Sequence, residues 1–130
     1  MQPQSLPALV AFFALLVYLA TLINVARKRR RLGIEPPTTD GPPEFVRARR
    51  IQINTLEHIV LFLPSLALFT IFQGGFWAAV IGVFWPVGRI IYAFSYARDP
   101  RSRLPGFIIA TLSTLILLFG GALGALLRML

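Results

Sequence analysis

LPALVAFFALLVYLATLINV, Leu6 to Val25, runs without a charged residue and is followed, after Ala26, by the basic cluster RKRRR, Arg27 to Arg31. An uninterrupted apolar run of about 18 or more residues is long enough to cross the hydrocarbon core as a helix, whereas a water-soluble helix of that length would show a polar face. Three further blocks repeat the pattern. One runs from Ile59 to Phe72 and extends back through Thr55 past Glu57 and His58; another covers Gly75 to Gly88 and continues past Arg89 to Tyr96; the last spans Pro105 to Leu127. Helices are therefore expected over about residues 6–26, 45–72, 75–98 and 105–128. The fold class is an all-α integral membrane protein, a four-transmembrane-helix bundle with residues 1–130 as a single membrane domain. At 56% hydrophobic and 14% charged residues, little is left for a soluble domain. No basic stretch precedes the first block and no small-residue cleavage site follows it, so it reads as a span rather than a removable leader.

The net charge of +8 could suggest a nucleic-acid binder, but its placement argues against one. Of the thirteen basic residues, all but Arg128 lie in two places: Arg27 to Arg31 with Arg47, Arg49 and Arg50 around the first loop, and Arg89, Arg98, Arg101 and Arg103 toward the third. The turn at Gln73, Gly74 and Gly75 carries no charge. By the positive-inside rule, loops one and three face the cytoplasm and both termini face outward. Cysteine is absent, so the chain supplies neither disulfide nor thiol nucleophile, and the single histidine, His58, argues against a metal site. Any thiol chemistry must use a bound small molecule.

The first loop holds Pro36, Pro37, Pro42 and Pro43 and cannot continue as helix. Beyond it Arg47, Arg50, Asn54 and Glu57 fall, at about 100° per residue, within roughly an 80° arc of one helical face. Arg89, Tyr92 and Tyr96 share a face of the third span. Pro64 and Pro86 sit inside spans and can kink them. Asp99 and Pro100 end the third span, and Gly120 with Gly124 gives the last span a small-xxx-small spacing that permits close helix approach.

A carboxylate beside a span needs a reason, because the translocon scale sets about 2.5–3.5 kcal/mol against Asp at mid-helix. Glu57 could simply pair with Arg50 or Arg89 and join two helices. Yet several arginines, one carboxylate, an amide and two phenols together suit a small zwitterion with more than one carboxylate. Arginine forks bind carboxylates bidentately, glutamate holds an ammonium, and tyrosine offers a ring and a hydroxyl. Glutathione has those groups; an anionic lipid headgroup is the alternative. The Arg27 to Arg31 cluster reads chiefly as an anchor for topology and headgroups.

Two stretches carry a resemblance: PPTTDGPPEFVRARRIQINTLEH, Pro36 to His58, and GRIIYAFSYARDPRSRLPGF, Gly88 to Phe107. They resemble the membrane-associated proteins in eicosanoid and glutathione metabolism, the MAPEG superfamily, over about Val25 to Phe107. The resemblance implies a homotrimer with glutathione as co-substrate between adjacent subunits. It implies that Arg50, Gln52, Asn54, Glu57, Tyr92 and Tyr96 bind the tripeptide, that Arg29 and Arg30 match the paired arginines closing the family's first helix, and that Arg103 stands beside the sulfur as the catalytic residue. His58 takes the place of a glutathione-binding tyrosine in leukotriene-C synthase, and Ile91 replaces an arginine. These departures turn the expectation from an eicosanoid enzyme to a general glutathione transferase or peroxidase acting on a lipophilic substrate from the bilayer. A bacterial inner membrane is the expected host, with membrane lipids and no nucleic acid as partners. A non-catalytic lipid-binding relative and a small four-helix transporter are the competing readings.

Overall fold

In lipid no water is available to satisfy backbone N–H and C=O groups, so each apolar block must close its hydrogen bonds on itself as helix. The computed structural model describes residues 2–130 and shows this outcome. Helix α1 is Ser5–Leu32, α2 Pro43–Gln73, α3 Gly75–Gly82, α4 Phe84–Arg98 and α5 Leu104–Leu127, with a short 3-10 turn at Pro100–Ser102 before α5. Helices α3 and α4 together form the third span, giving four segments long and apolar enough to cross a membrane.

Two boundaries differ from the expected ones. Helix α1 continues through the basic cluster to Leu32, because arginine and lysine are good helix formers and the stop comes only at Gly33, which is left-handed at φ 67°. The third span is broken at Val83 rather than continuous. Pro86 cannot donate to the carbonyl of Gly82, four residues back, and Ser113 of α5 donates to the neighbouring Ile81 carbonyl at 2.8 Å. Pro64, by contrast, lies inside an unbroken α2.

The spans alternate in direction. Arg128 donates to the Phe72 carbonyl, and a Cβ on Gly75 would collide with the Pro3 carbonyl, so both ends of the bundle's chain meet the uncharged turn. At the opposite end Arg47 donates to the Ala97 and Arg98 carbonyls, which brings the two basic loops together.

Burying an apolar side chain gains little when the surroundings are hydrocarbon, so close packing must hold the spans together. Phe62 of α2 stacks on Trp85 of α4 at 4.7 Å between ring centroids, within a core that includes Ala14, Ala110 and Leu117. Gly88 and Gly106 set α4 directly on α5: a Cβ on Gly88 would stand 2.7 Å from the Ala110 nitrogen, and one on Gly106 would strike the Tyr92 backbone. On α5, Gly121 and Gly124 lie against α2 in the same way, at Phe69 and Phe72–Gln73.

Candidate functional site

The Gly88–Gly106 contact fixes the face of α4 that carries the polar residues. One helical step beyond Gly88, Arg89 is only 1% exposed. Its Nη2 donates to Asn54 Oδ1 and to Thr55 Oγ1, each at 2.9 Å, and the Thr55 hydroxyl in turn donates to the Ile51 carbonyl at 2.7 Å. The guanidinium carbon lies 4.1 Å from the centre of the Tyr92 ring, a cation–π contact, and Tyr92 stacks on Tyr96 with 5.7 Å between centroids. Asn54, Arg89, Tyr92 and Tyr96 thus form one connected series across α2 and α4. Arg89 Nε and Nη1 are buried without a partner.

The remaining site residues are arranged around this series and are not gathered with it in the single chain. At about 100° per residue, Arg47 and Asn54 stand only about 20° apart, as do Arg50 and Glu57, while the two pairs are separated by about 60°. The first pair turns to α4. Arg50 and Glu57 turn outward and are exposed. Among the described residues Glu57 makes no ion pair; the carboxylate that does is Glu44, held by Lys28 at 3.4 Å and by Arg31. The pairing of Glu57 with Arg89 considered from the sequence is replaced by the Asn54 and Thr55 bonds.

Gln52 points to α1, donating to the Tyr18 hydroxyl at 3.3 Å. Arg29 is held by loop one: it donates to the Thr38 carbonyl at 2.8 Å and lies over the Phe45 ring. Arg30 is exposed on the same helix. His58 meets Phe107 of α5 edge-on at 5.2 Å. Arg103 is exposed at the start of α5, with Nη1 donating to the Pro100 carbonyl at 3.3 Å. Its position is set by the turn before it, where Asp99 accepts from the Arg101 N–H and Ser102 donates back to Ser95 and Asp99. Two hollows near the basic end, of about 540 and 570 Å³, are lined by neither Glu57 nor Tyr96.

The organising roles of Arg89 and Thr55 escaped sequence reasoning. A signal for Arg89 was present: an intramembrane cation is expensive and normally faces the bundle interior with a partner. Thr55 gave none, since a threonine in a span commonly bonds only to its own helix.

With this geometry in place, comparison with known proteins decides the family. The MAPEG family profile matches residues 6–123. The chain belongs to the MAPEG family. It is similar to leukotriene C4 synthase of Rattus norvegicus, 34% identical over 126 residues, which cover 97% of this chain and 84% of that one. It is also similar to microsomal glutathione S-transferase 2 of Homo sapiens, 28% identical over 102 residues, covering 78% and 69%. An uncharacterized protein of Synechocystis sp. is 42% identical over 120 residues, covering 92% and 88%. The family resemblance read from the two polar stretches is therefore borne out, as is the four-span helical architecture. In this MAPEG chain the connected series Asn54–Arg89–Tyr92–Tyr96 joins the second and third spans near the basic end.

Proposed function

We propose that the chain is a glutathione-dependent membrane transferase, which joins the glutathione sulfur to a lipophilic electrophile or uses it to reduce a lipid hydroperoxide. The observation that carries this reading is the pairing of a buried, ordered face with an open charged one. Asn54, Tyr92 and Tyr96 are held in place by Arg89. Next to them Arg50 and Glu57 lie uncovered on an α2 face whose other exposed members, Leu56, Val60 and Leu61, are apolar. Two charges left against lipid would be costly, so this face calls for a neighbour and a polar ligand. A homotrimer with glutathione between protomers meets both needs, with Arg29, Arg30 and Gln52 of one protomer facing Arg50, Asn54, Glu57, His58, Tyr92 and Tyr96 of the next. Residues 1–130 act as one membrane unit, with the basic loops toward the cytoplasm of a bacterial inner membrane and the termini outside.

Arg103 is the proposed catalytic residue. A free thiol of pKa about 8.5 is only a few per cent ionised at neutral pH, and a guanidinium beside it favours the thiolate. That thiolate attacks the electrophilic carbon, forming the C–S bond as the leaving group departs. With a hydroperoxide it attacks the O–O bond, releasing the alcohol, and a second glutathione then yields the disulfide and water. The reading is tested by titrating glutathione into detergent-solubilised protein. Wild type should bind it, and Arg50→Ala or Glu57→Gln should weaken binding at least tenfold. Wild-type protein that neither binds glutathione nor conjugates it to a chromogenic aryl chloride would favour the non-catalytic relative instead.

A further inference from the structure

The two hollows near the basic end adjoin at shared residues, and of their lining the glutathione reading uses only Arg30. The first, about 540 Å³, is lined by Asn24, Arg27, Lys28, Arg30, Arg31 and Glu44. The second, about 570 Å³, shares Asn24 and Lys28 with it and descends between α1 and α4 along Phe13, Val17 and Ala20 on one side and Ile90, Ala93 and Phe94 on the other. Together they form a cationic mouth opening onto an apolar groove.

We propose that this composite site binds one anionic phospholipid, its phosphate in the mouth and an acyl chain in the groove. Charge favours that occupant. One carboxylate, Glu44, faces four cations, which leaves three positive charges uncompensated at the mouth. Among the described residues Lys28 and Arg31 already converge on Glu44, while Arg27 and Arg30 make no hydrogen bond or ion pair. Arg29, by contrast, is drawn away to the Thr38 carbonyl and the Phe45 ring, and this contact also pins the helical extension of α1 that carries the other cations.

The length of the groove fits as well. From Phe13 to Asn24 is eleven residues, about 16 Å of helix at about 1.5 Å per residue. That is about half of the ~30 Å hydrocarbon core, the depth of one leaflet. Below Asn24 and Lys28, which it shares with the mouth, the wall is apolar apart from Thr21, whose hydroxyl is already committed to the Tyr18 carbonyl at 2.6 Å. The groove therefore offers an acyl chain surface and nothing that would hold a polar substrate.

The site can be read with chain-labelled lipids. The protein is reconstituted in phosphatidylcholine bilayers with a trace of phosphatidylglycerol or phosphatidylcholine bearing a nitroxide near the chain end, and motionally restricted lipid is measured by electron paramagnetic resonance. One Lys or Arg near an anionic surface favours it about fivefold, so wild type should prefer phosphatidylglycerol by at least about fivefold. Arg27→Gln/Lys28→Gln/Arg31→Gln should bring the two lipids to parity, and Ala20→Phe/Ala93→Phe should remove the restricted phosphatidylglycerol while the mouth stays cationic. Equal restriction of both lipids by wild type would overturn the proposal. So would a preference that survives filling of the groove, which would mean a diffuse charge effect. Two controls separate other occupants. The chain has no cysteine of its own, so disulfide-linked dimers of Ala93→Cys would reveal a second copy in the groove. Displacement of the lipid by millimolar glutathione would assign the mouth to the tripeptide; either result would overturn the lipid assignment. Loss of glutathione binding alone would leave the lipid assignment standing.

Discussion

Arg89 offers the sharpest test of how the polar face is built. Arg89→Met keeps the apolar stem and removes the guanidinium, together with its bonds to Asn54 and Thr55 and its contact with the Tyr92 ring. Hydrogen bonds between spans average about 0.6 kcal/mol in measured cycles, and a charged donor roughly doubles that, so the two bonds contribute about 2 kcal/mol. A desolvated cation–π contact adds up to about 2 kcal/mol. Against these stands the cost of holding a cation inside a span, about 2.5–3.5 kcal/mol on the translocon scale, which methionine relieves. The terms nearly cancel, so the single substitution should change stability by only about 1 kcal/mol in either direction, as often found when a buried charge is replaced by an apolar side chain. The diagnostic quantity is the coupling. In the wild type, Asn54→Leu strips a buried cation of one of its two acceptors and should cost about 1–3 kcal/mol. In the Arg89→Met background the same change removes a carbonyl that has already lost its donor and should cost almost nothing. A coupling of at least about 1 kcal/mol is expected from unfolding in mixed micelles with increasing dodecyl sulfate, followed by circular dichroism. Costs for Asn54→Leu that agree within about 0.5 kcal/mol in the two backgrounds would refute the network, because independent sites add to that precision.

Arg103→Leu should lower turnover at neutral pH about tenfold or more while glutathione affinity stays within about threefold. The rate should then rise toward the pH range of a free thiol, about 8.5, because the group that favoured the thiolate is gone; an unchanged pH–rate profile would remove Arg103 from the mechanism. Gly106→Ala inserts a methyl where the Tyr92 backbone and the Gly88 carbonyl already stand. It should cost about 1–3 kcal/mol and lower the melting temperature, as overpacking does; an unshifted melting temperature would contradict the close α4–α5 approach. Phe62→Ala empties one side of the stack with Trp85; with the transfer term largely absent in hydrocarbon, the cavity left behind should cost about 2 kcal/mol and lower the melting temperature, and an unshifted one would contradict the stack.

The spans were legible because lipid imposes one demand on every residue of a crossing segment, and that demand shows in the sequence as uncharged blocks. The end of α1 was not, since Arg27 to Arg31 signal the membrane boundary and say nothing about where helix stops; Gly33 does that. Equally, Pro64 and Pro86 look alike in sequence, yet only the latter accompanies a break, at Val83. The Gly88–Gly106 contact lay hidden for a related reason: Gly106 and Ala110 have the small-xxx-small spacing, but Gly88 has no small residue four positions away, and their meeting depends on two spans at once.

The same distinction governs the site. A helical projection placed Arg47, Arg50, Asn54 and Glu57 on one face, and this is correct for α2 alone. The neighbouring helix then divides that arc, because α4 supplies a cation and carbonyls for Asn54 and Arg47 but nothing for Arg50 and Glu57. An isolated protomer thus satisfies half of its polar face and leaves the other half, with its apolar neighbours, uncovered. A face that is charged enough to avoid lipid and apolar enough to avoid water is well suited to another protein surface. On physical grounds, then, the proposed binding of glutathione and the proposed assembly of the subunits depend on the same stripe of α2, and a substitution there should disturb both together.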